Sequence, residues 1–227
     1  GRLRRRTALF QLFTGHAHID EYTPPTYTRS TWVTLGANKA TRSLRITPQG
    51  TVAFLEIQTG DLSNDKLLEY DLAGNLLRTV LTVTGDFMDS FAFPNASEIL
   101  VTHRGSQCIK RYDWTSTPAT FTSDFVCDAA RISASLVVVH PVDGSVYSTS
   151  HVSACVYAWT PNGTLQYNGQ PLGCYDPVLY VGGPIVLAED PLICVPALSE
   201  WGLVAMGLLT VAAGTVVVMR RRRVGSA

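Results

Sequence analysis

Charge is scarce in this chain. Asp, Glu, Lys and Arg make up 16% of its 227 residues, while 46% are hydrophobic. That balance excludes a disordered, solvating polymer and leaves enough apolar material for a sizeable core. Basic residues are scarcer still once their positions are considered. Arg2, Arg4, Arg5 and Arg6 lie at one end and Arg220, Arg221, Arg222 and Arg223 at the other. Taking these eight from the 18 Lys and Arg leaves 10 against 18 acidic residues, so the body carries a net −8. An acidic body is a poor match for a phosphate backbone, which excludes nucleic acid as the expected partner. Catalytic fingerprints are also missing. No GxSxG, HExxH, P-loop or dinucleotide-binding glycine pattern occurs. Helical periodicity is absent from the body, where the apolar residues fall in short β-branched and aromatic runs.

One long hydrophobic run exists, and it stands near the C-terminus. Residues 203–219 (LVAMGLLTVAAGTVVVM) contain no charge, and with Trp201 and Gly202 the run reaches 19 residues. As a helix this is about 28 Å, close to the thickness of a bilayer core. Arg220, Arg221, Arg222 and Arg223 follow at once, the cytoplasmic flank expected of a membrane stop, and Trp201 stands at the opposite interface. A transmembrane helix is expected here, with everything before Trp201 outside the cytoplasm. The residues before it are Val195, Pro196, Ala197, Leu198, Ser199, Glu200, Trp201 and Gly202. This octapeptide, the apolar span and the arginines together resemble the bacterial IPTL-CTERM sorting signal, IPTLxxWG. Pro196, Leu198, Trp201 and Gly202 match, while Val195 and Ala197 depart mildly. The resemblance implies an exosortase-type protease as partner, a passage through the inner membrane, and delivery to the cell envelope or exterior.

The N-terminal end carries basic residues and a six-residue apolar stretch interrupted by Gln11, too short for a signal peptide. The expectation is a fragment whose own export signal and earlier repeats lie upstream.

The body repeats. Pro94 and Pro141, Cys108 and Cys155, Tyr112 and Trp159, and Cys127 and Cys174 are each 47 residues apart. Pro48 to Pro94 is 46 and Tyr22 to Tyr70 is 48. Each unit reads as four short strands; in the second these are 43–47, 52–57, 67–72 and 76–82, with turns at Gly50, residues 60–65 and Ala73-Gly74-Asn75. A period in the forties with four strands per unit predicts an all-β partial propeller of four to five blades. Its first unit is expected at 9–14, 18–23 and 28–35, and its last at 178–181 and 185–188. The Pro-x-Gly turn followed by a Tyr-Asp strand resembles NHL, gluconolactonase-like and YncE-type propellers, a likeness that implies the fold and no activity by itself. The expected organisation is a propeller domain over residues 1–192, a linker and sorting motif over 193–202, the membrane helix over 203–219 and a basic tail over 220–227.

Two cysteine pairs recur at equivalent places: Cys108 with Cys127, and Cys155 with Cys174, each 19 apart. Each pair brackets the last hairpin of its unit, which predicts a disulfide across adjacent strands, in keeping with an exported chain. Cys194 is left over. His16, His18, His103 and His151 fall at or after the second strands of their units. Asp86, Asp89, Asp128 and Arg131 fall in the loops linking units on the same side. Such a face could hold a metal ion or polarise a substrate, as in propeller lactonases and lyases. The plainer reading is a set of exposed loop residues, with no cofactor, no catalytic residue and a surface ligand, protein or carbohydrate, as partner. Tyr22, Tyr70, Tyr112 and Trp159 are expected to be packing residues.

Overall fold

The computed structural model describes residues 8–10, 18–23, 26, 28–58, 64–132, 136–150 and 153–174. These residues form four antiparallel sheets in chain order. The first contains β1 (Ala8–Phe10), β2 (His18–Thr23) and β3 (Thr28–Thr34), and the second β4 (Lys39–Ile46), β5 (Val52–Gln58), β6 (Asn64–Tyr70) and β7 (Leu76–Thr84). The third is built from β8 (Met88–Ala92), β9 (Glu98–His103), β10 (Cys108–Asp113) and β11 (Thr120–Cys127). The fourth is β12 (Val137–Val139), β13 (Val146–Ser150), β14 (Cys155–Trp159) and β15 (Gly173–Cys174). Every sheet is a simple meander, so all connections are short and local. This is the arrangement of successive propeller blades.

Burial follows the position of a strand in its sheet. The first strand of the third sheet, Met88–Ala92, is buried at every residue, and Val52–Glu56 of β5 likewise. Strands covered on both faces need continuous apolar runs. Outer strands alternate instead: β7 and β11 expose most of their residues. Within β5, alternate side chains serve two interfaces. Phe54 joins Ile19, Val33, Leu35 and Leu68 between the first and second sheets, while Ala53 and Leu55 join Met88, Phe91, Ile99 and Trp114 between the second and third. Leu100, Ile109 and Phe125 then meet Val137, Val146, Tyr157 and Trp159 between the third and fourth. The period of two thus glues each sheet to both neighbours.

A repeated joint fixes how the sheets meet. The outer strands β3, β7 and β11 each carry a bulge in which one residue has no cross-strand partner: Trp32, Val80 and Phe125. A bulge turns the backbone out of the ladder, and here the carbonyl meets the last turn of the next sheet. Ala119 N–H donates to Val80 O at 2.7 Å. At the other two joints a glycine takes the place: Gly74 (φ +86°) lies under Trp32 O, and Gly163 (φ +82°) under Phe125 O. A Cβ at residue 74 would stand 2.7 Å from Trp32 O. Gly74→Ala and Gly163→Ala are therefore expected to destabilise by at least about 1–2 kcal/mol, the cost of a left-handed non-glycine residue, with displacement of the joint added. Gly50→Ala, at φ +82° with nothing within 4 Å, should cost less than either. Urea midpoints of the three variants check this order.

The sheets agree with the expected architecture, with three corrections. β4 begins at Lys39 rather than residue 43, because a bulge between Thr41 and Leu44 interrupts the alternation that marks a strand. β6 begins at Asn64, so Asp65 lies in a strand and not in the preceding turn. Asp89, expected in a linking loop, is the second residue of β8. Both cysteine pairs are disulfides, and each pair is directly opposed across its outer hairpin. Among the described residues no helix is long and apolar enough to cross a membrane. The expected span at 203–219, the sorting motif and the strands at 178–181 and 185–188 lie outside them.

Candidate functional site

One group of polar side chains lies at the end of the sheets where each first strand begins and each second strand ends. At that end β4 and β8 each carry a two-residue bulge, Arg42-Ser43 in one and Asp89-Ser90 in the other. The two bulges are 47 residues apart, one repeat. They bring Arg42 and Asp89 together from neighbouring sheets, with Arg42 Nη1 donating to Asp89 Oδ1 at 2.7 Å. Arg104, just beyond β9, grips the same carboxylate, Nη2 to Oδ1 at 2.5 Å and Nε to Oδ2 at 3.0 Å. Asp65 lies behind them, fully buried, and accepts the Met88 N–H through Oδ2 at 2.9 Å. Burial pushes its carboxyl above the usual range, against the Met88 hydrogen bond and the pull of Arg42. Beside this group Lys39 Nζ pairs with Glu56 Oε1 at 2.8 Å.

A second cluster joins the loop before β8 to the hairpin between β9 and β10. Asp86 Oδ1 accepts the N–H groups of Phe87 (2.7 Å) and Gly105 (2.6 Å), and its Oδ2 accepts Ser106 Oγ–H at 3.0 Å. Burial raises this carboxyl, but the three hydrogen bonds and nearby His103 outweigh it and hold Asp86 below the ordinary range. His103 is 2% exposed. Its Nε2 is 2.9 Å from Tyr112 Oη, and its Nδ1 is 3.3 Å from Asp86 Oδ2 without hydrogen-bond alignment. Burial, with Lys110 adding to it and Asp86 opposing, lowers the His103 pKa to about 4. The ring is thus neutral near pH 7. A proton on Nδ1, facing Asp86, lets Tyr112 donate to Nε2. Burial and the carboxylates of Asp86 and Asp124 push Tyr112 up to about 12, so it stays a donor. This chain of groups ties one linking loop to its sheet. Tyr112 is more than the packing residue expected.

Among the described residues the two expected histidines, His18 and His103, lie in different sheets. His103 lies in the third sheet, whereas His18 opens β2 in the first, its Nε2 3.1 Å from Arg29 Nη2 and 3.5 Å from Asp20. His16 and His151 lie outside the described residues. Asp128 pairs with Arg131 at 2.6 Å within its own loop. As a metal centre these residues fit poorly, because Asp89 is already gripped by two guanidiniums and His103 is wedged between Asp86 and Tyr112. Among the described residues the one trio with ligand atoms in mutual reach is Cys108, Asp124 and Cys127, whose sulfurs are bonded to each other. Neither Arg42 nor Arg104 was expected here. The signal for the first was available, since Arg42-Ser43 stands one repeat before Asp89-Ser90.

Comparison with known proteins bears on the two ends of this description separately. Residues 194–223 match the IPTL-CTERM motif. This chain carries a sorting signal. The signal marks an exported protein processed at a membrane. Comparison with curated sequences gives no match. Solved structures resemble the body at low identity and share its fold. A gluconolactonase from Xanthomonas campestris is 17% identical over 66% of this chain and 54% of its own, with a TM-score of 0.54. An auxiliary nutrient binding protein from Bacteroides ovatus is 17% identical over 67% of this chain and 36% of its own (TM-score 0.53). Regucalcin, a calcium-binding protein from Agrobacterium tumefaciens, is 10% identical over 69% and 57% (TM-score 0.52). The chain matches between about a third and three fifths of these relatives' lengths, and the likeness extends to the β-propeller fold.

Proposed function

We propose that the chain is an exported bacterial cell-envelope protein: a β-propeller binding or structural module over residues 1–192, carried by a C-terminal signal that an exosortase-type protease processes. The match of residues 194–223 to the sorting motif supports this reading most directly. Residues 203–219 act as a transmembrane helix in the inner membrane, and Arg220, Arg221, Arg222 and Arg223 hold its end in the cytoplasm because moving them across is costly and opposed by the membrane potential. Pro196 keeps the preceding backbone extended and stops the helix from running back into the motif. That leaves Val195 to Gly202 accessible at the outer interface. The alternative is an exported propeller enzyme of the lactonase or lyase type, a reading that the gluconolactonase-like fold favours and the engagement of Asp89 by two arginines disfavours.

The test follows the mass of the exported protein in cells with and without their exosortase. Loss of a tag placed after Val224, only where the protease is present, is the expected result. Pro196→Ala and Trp201→Ala should block processing nearly completely while leaving the unfolding midpoint of the propeller unchanged. A tag that always stays attached makes the segment a permanent anchor, and a tag found outside the cell overturns the topology.

A further inference from the structure

At the junction of the second and third sheets two guanidiniums lie toward solvent over two more deeply buried acids, Asp89 and Asp65. Two guanidiniums, from Arg42 and Arg104, converge on the single carboxylate of Asp89. Their side chains are 21% and 41% exposed, while that of Asp89 is 7% exposed, so the arginines open to solvent and the acid lies beneath. Arg42 reaches Asp89 through Nη1, and Arg104 through Nε and Nη2. Among the described residues Arg42 Nε and Nη2 and Arg104 Nη1 have no hydrogen-bond partner. The Arg104 guanidinium also lies 5.9 Å from the Phe87 ring centroid, which helps to hold its plane. The acid next nearest, Asp65, is wholly buried, its Oδ1 has no hydrogen-bond partner, and burial raises its pKa. Two guanidinium forks with unused donors, open to solvent above the acids buried beneath them, make a cradle for an oxyanion.

We propose that Arg42 and Arg104 form a binding site for an anionic group, a carboxylate or a phosphate, on the ligand face of the propeller. This deepens the binding-module reading and rests on it. A bound oxyanion would accept from the outward edges of both forks while Asp89 stays beneath and holds them in place. The 47-residue spacing that sets Arg42 beside Asp89 is the repeat itself, so the site is built by two sheets together and neither makes it alone. An anionic occupant also suits the body's net negative charge in one respect: non-specific anion binding elsewhere is suppressed, and selectivity falls to this junction.

The experiment uses the purified full chain in uncharged detergent, titrated calorimetrically with sodium glucuronate and with inorganic phosphate at low ionic strength. Saturable binding of at least one probe is expected, weakened tenfold or more in both Arg42→Gln and Arg104→Gln. Preference between the two probes tells a carboxylate ligand from a phosphate one. Asp89→Asn should tighten binding, because it removes the competing charge and keeps an acceptor. Unfolding midpoints accompany each variant, and Arg104, the more exposed of the pair, serves if Arg42→Gln does not fold. No saturation by either probe up to about 10 mM, weaker than any affinity of interest, overturns the site. Equal affinity in the wild type and Arg104→Gln overturns it too. Neither result touches the sorting reading, whose test is made in cells on the C-terminal segment.

Discussion

Replacing Cys108 and Cys127 together by Ser is expected to cost the propeller about 3 kcal/mol, the loop-entropy value for a crosslink of this span. Their separation is 19 residues. The bond joins directly opposed residues of β10 and β11, so the folded strands already hold the two sites together and the crosslink acts mainly on the unfolded chain. Replacing Cys155 and Cys174, also 19 apart, should remove as much again. It should also release β15, which has only two residues and two paired positions. A strand that short cannot hold itself. Thermal unfolding should fall by roughly 6–12 °C for each pair in a body of this size. Peptide mapping of unreduced protein from the envelope should show these two linkages. Free thiols at all four positions, or a melting point indifferent to a reductant, would contradict the argument.

Acid should loosen the fold before the carboxylates titrate. In the unfolded chain His103 has an ordinary pKa near 6.5, and in the fold it is lowered to about 4. The folded state therefore binds fewer protons between those values, and stability is complete above about pH 6.5 and lost as pH falls toward 4. The full difference corresponds to a loss on the order of 3 kcal/mol. Asp86, held below the ordinary carboxylate range, adds a loss of the same sign at lower pH. Asp65 works the other way, since its raised pKa means that protonation relieves a buried charge. Urea midpoints between pH 4 and 7 for the wild type and His103→Phe separate these contributions. The wild type should decline with a slope that the variant lacks. A difference between the two proteins that does not change with pH would falsify the assignment to His103.

Which parts of this were legible in the sequence follows from what repeats. The sheets and both disulfides were legible because a 47-residue period places cysteines, prolines and aromatics at the same point of successive units. Arg42, and the strand position of Asp89, were hidden by local irregularity. The bulges at Arg42-Ser43 and Asp89-Ser90 break the period-two pattern, so the strands read as starting late and Asp89 read as a loop acid. Arg104 follows a strand and is brought to Asp89 only by the folding of the hairpin. His103 was legible as a face residue but not as a buried one, because its burial depends on Asp86 and Tyr112, which close over it from a loop and a neighbouring strand. Burial of a polar side chain is a property of three elements meeting, and no single stretch of chain records it.

The two-residue β15 has a mechanical consequence. In the proposed orientation the chain is held from its C-terminal side, and any pull on the protein enters the described body at Cys174. Through β15 alone, the hydrogen bonds of two residues would be loaded one after another, the weakest way to resist tension. The Cys155–Cys174 bond diverts that load into Cys155 at the start of β14, an interior strand paired along its length with β13. Force then shears a full strand instead of peeling a short one.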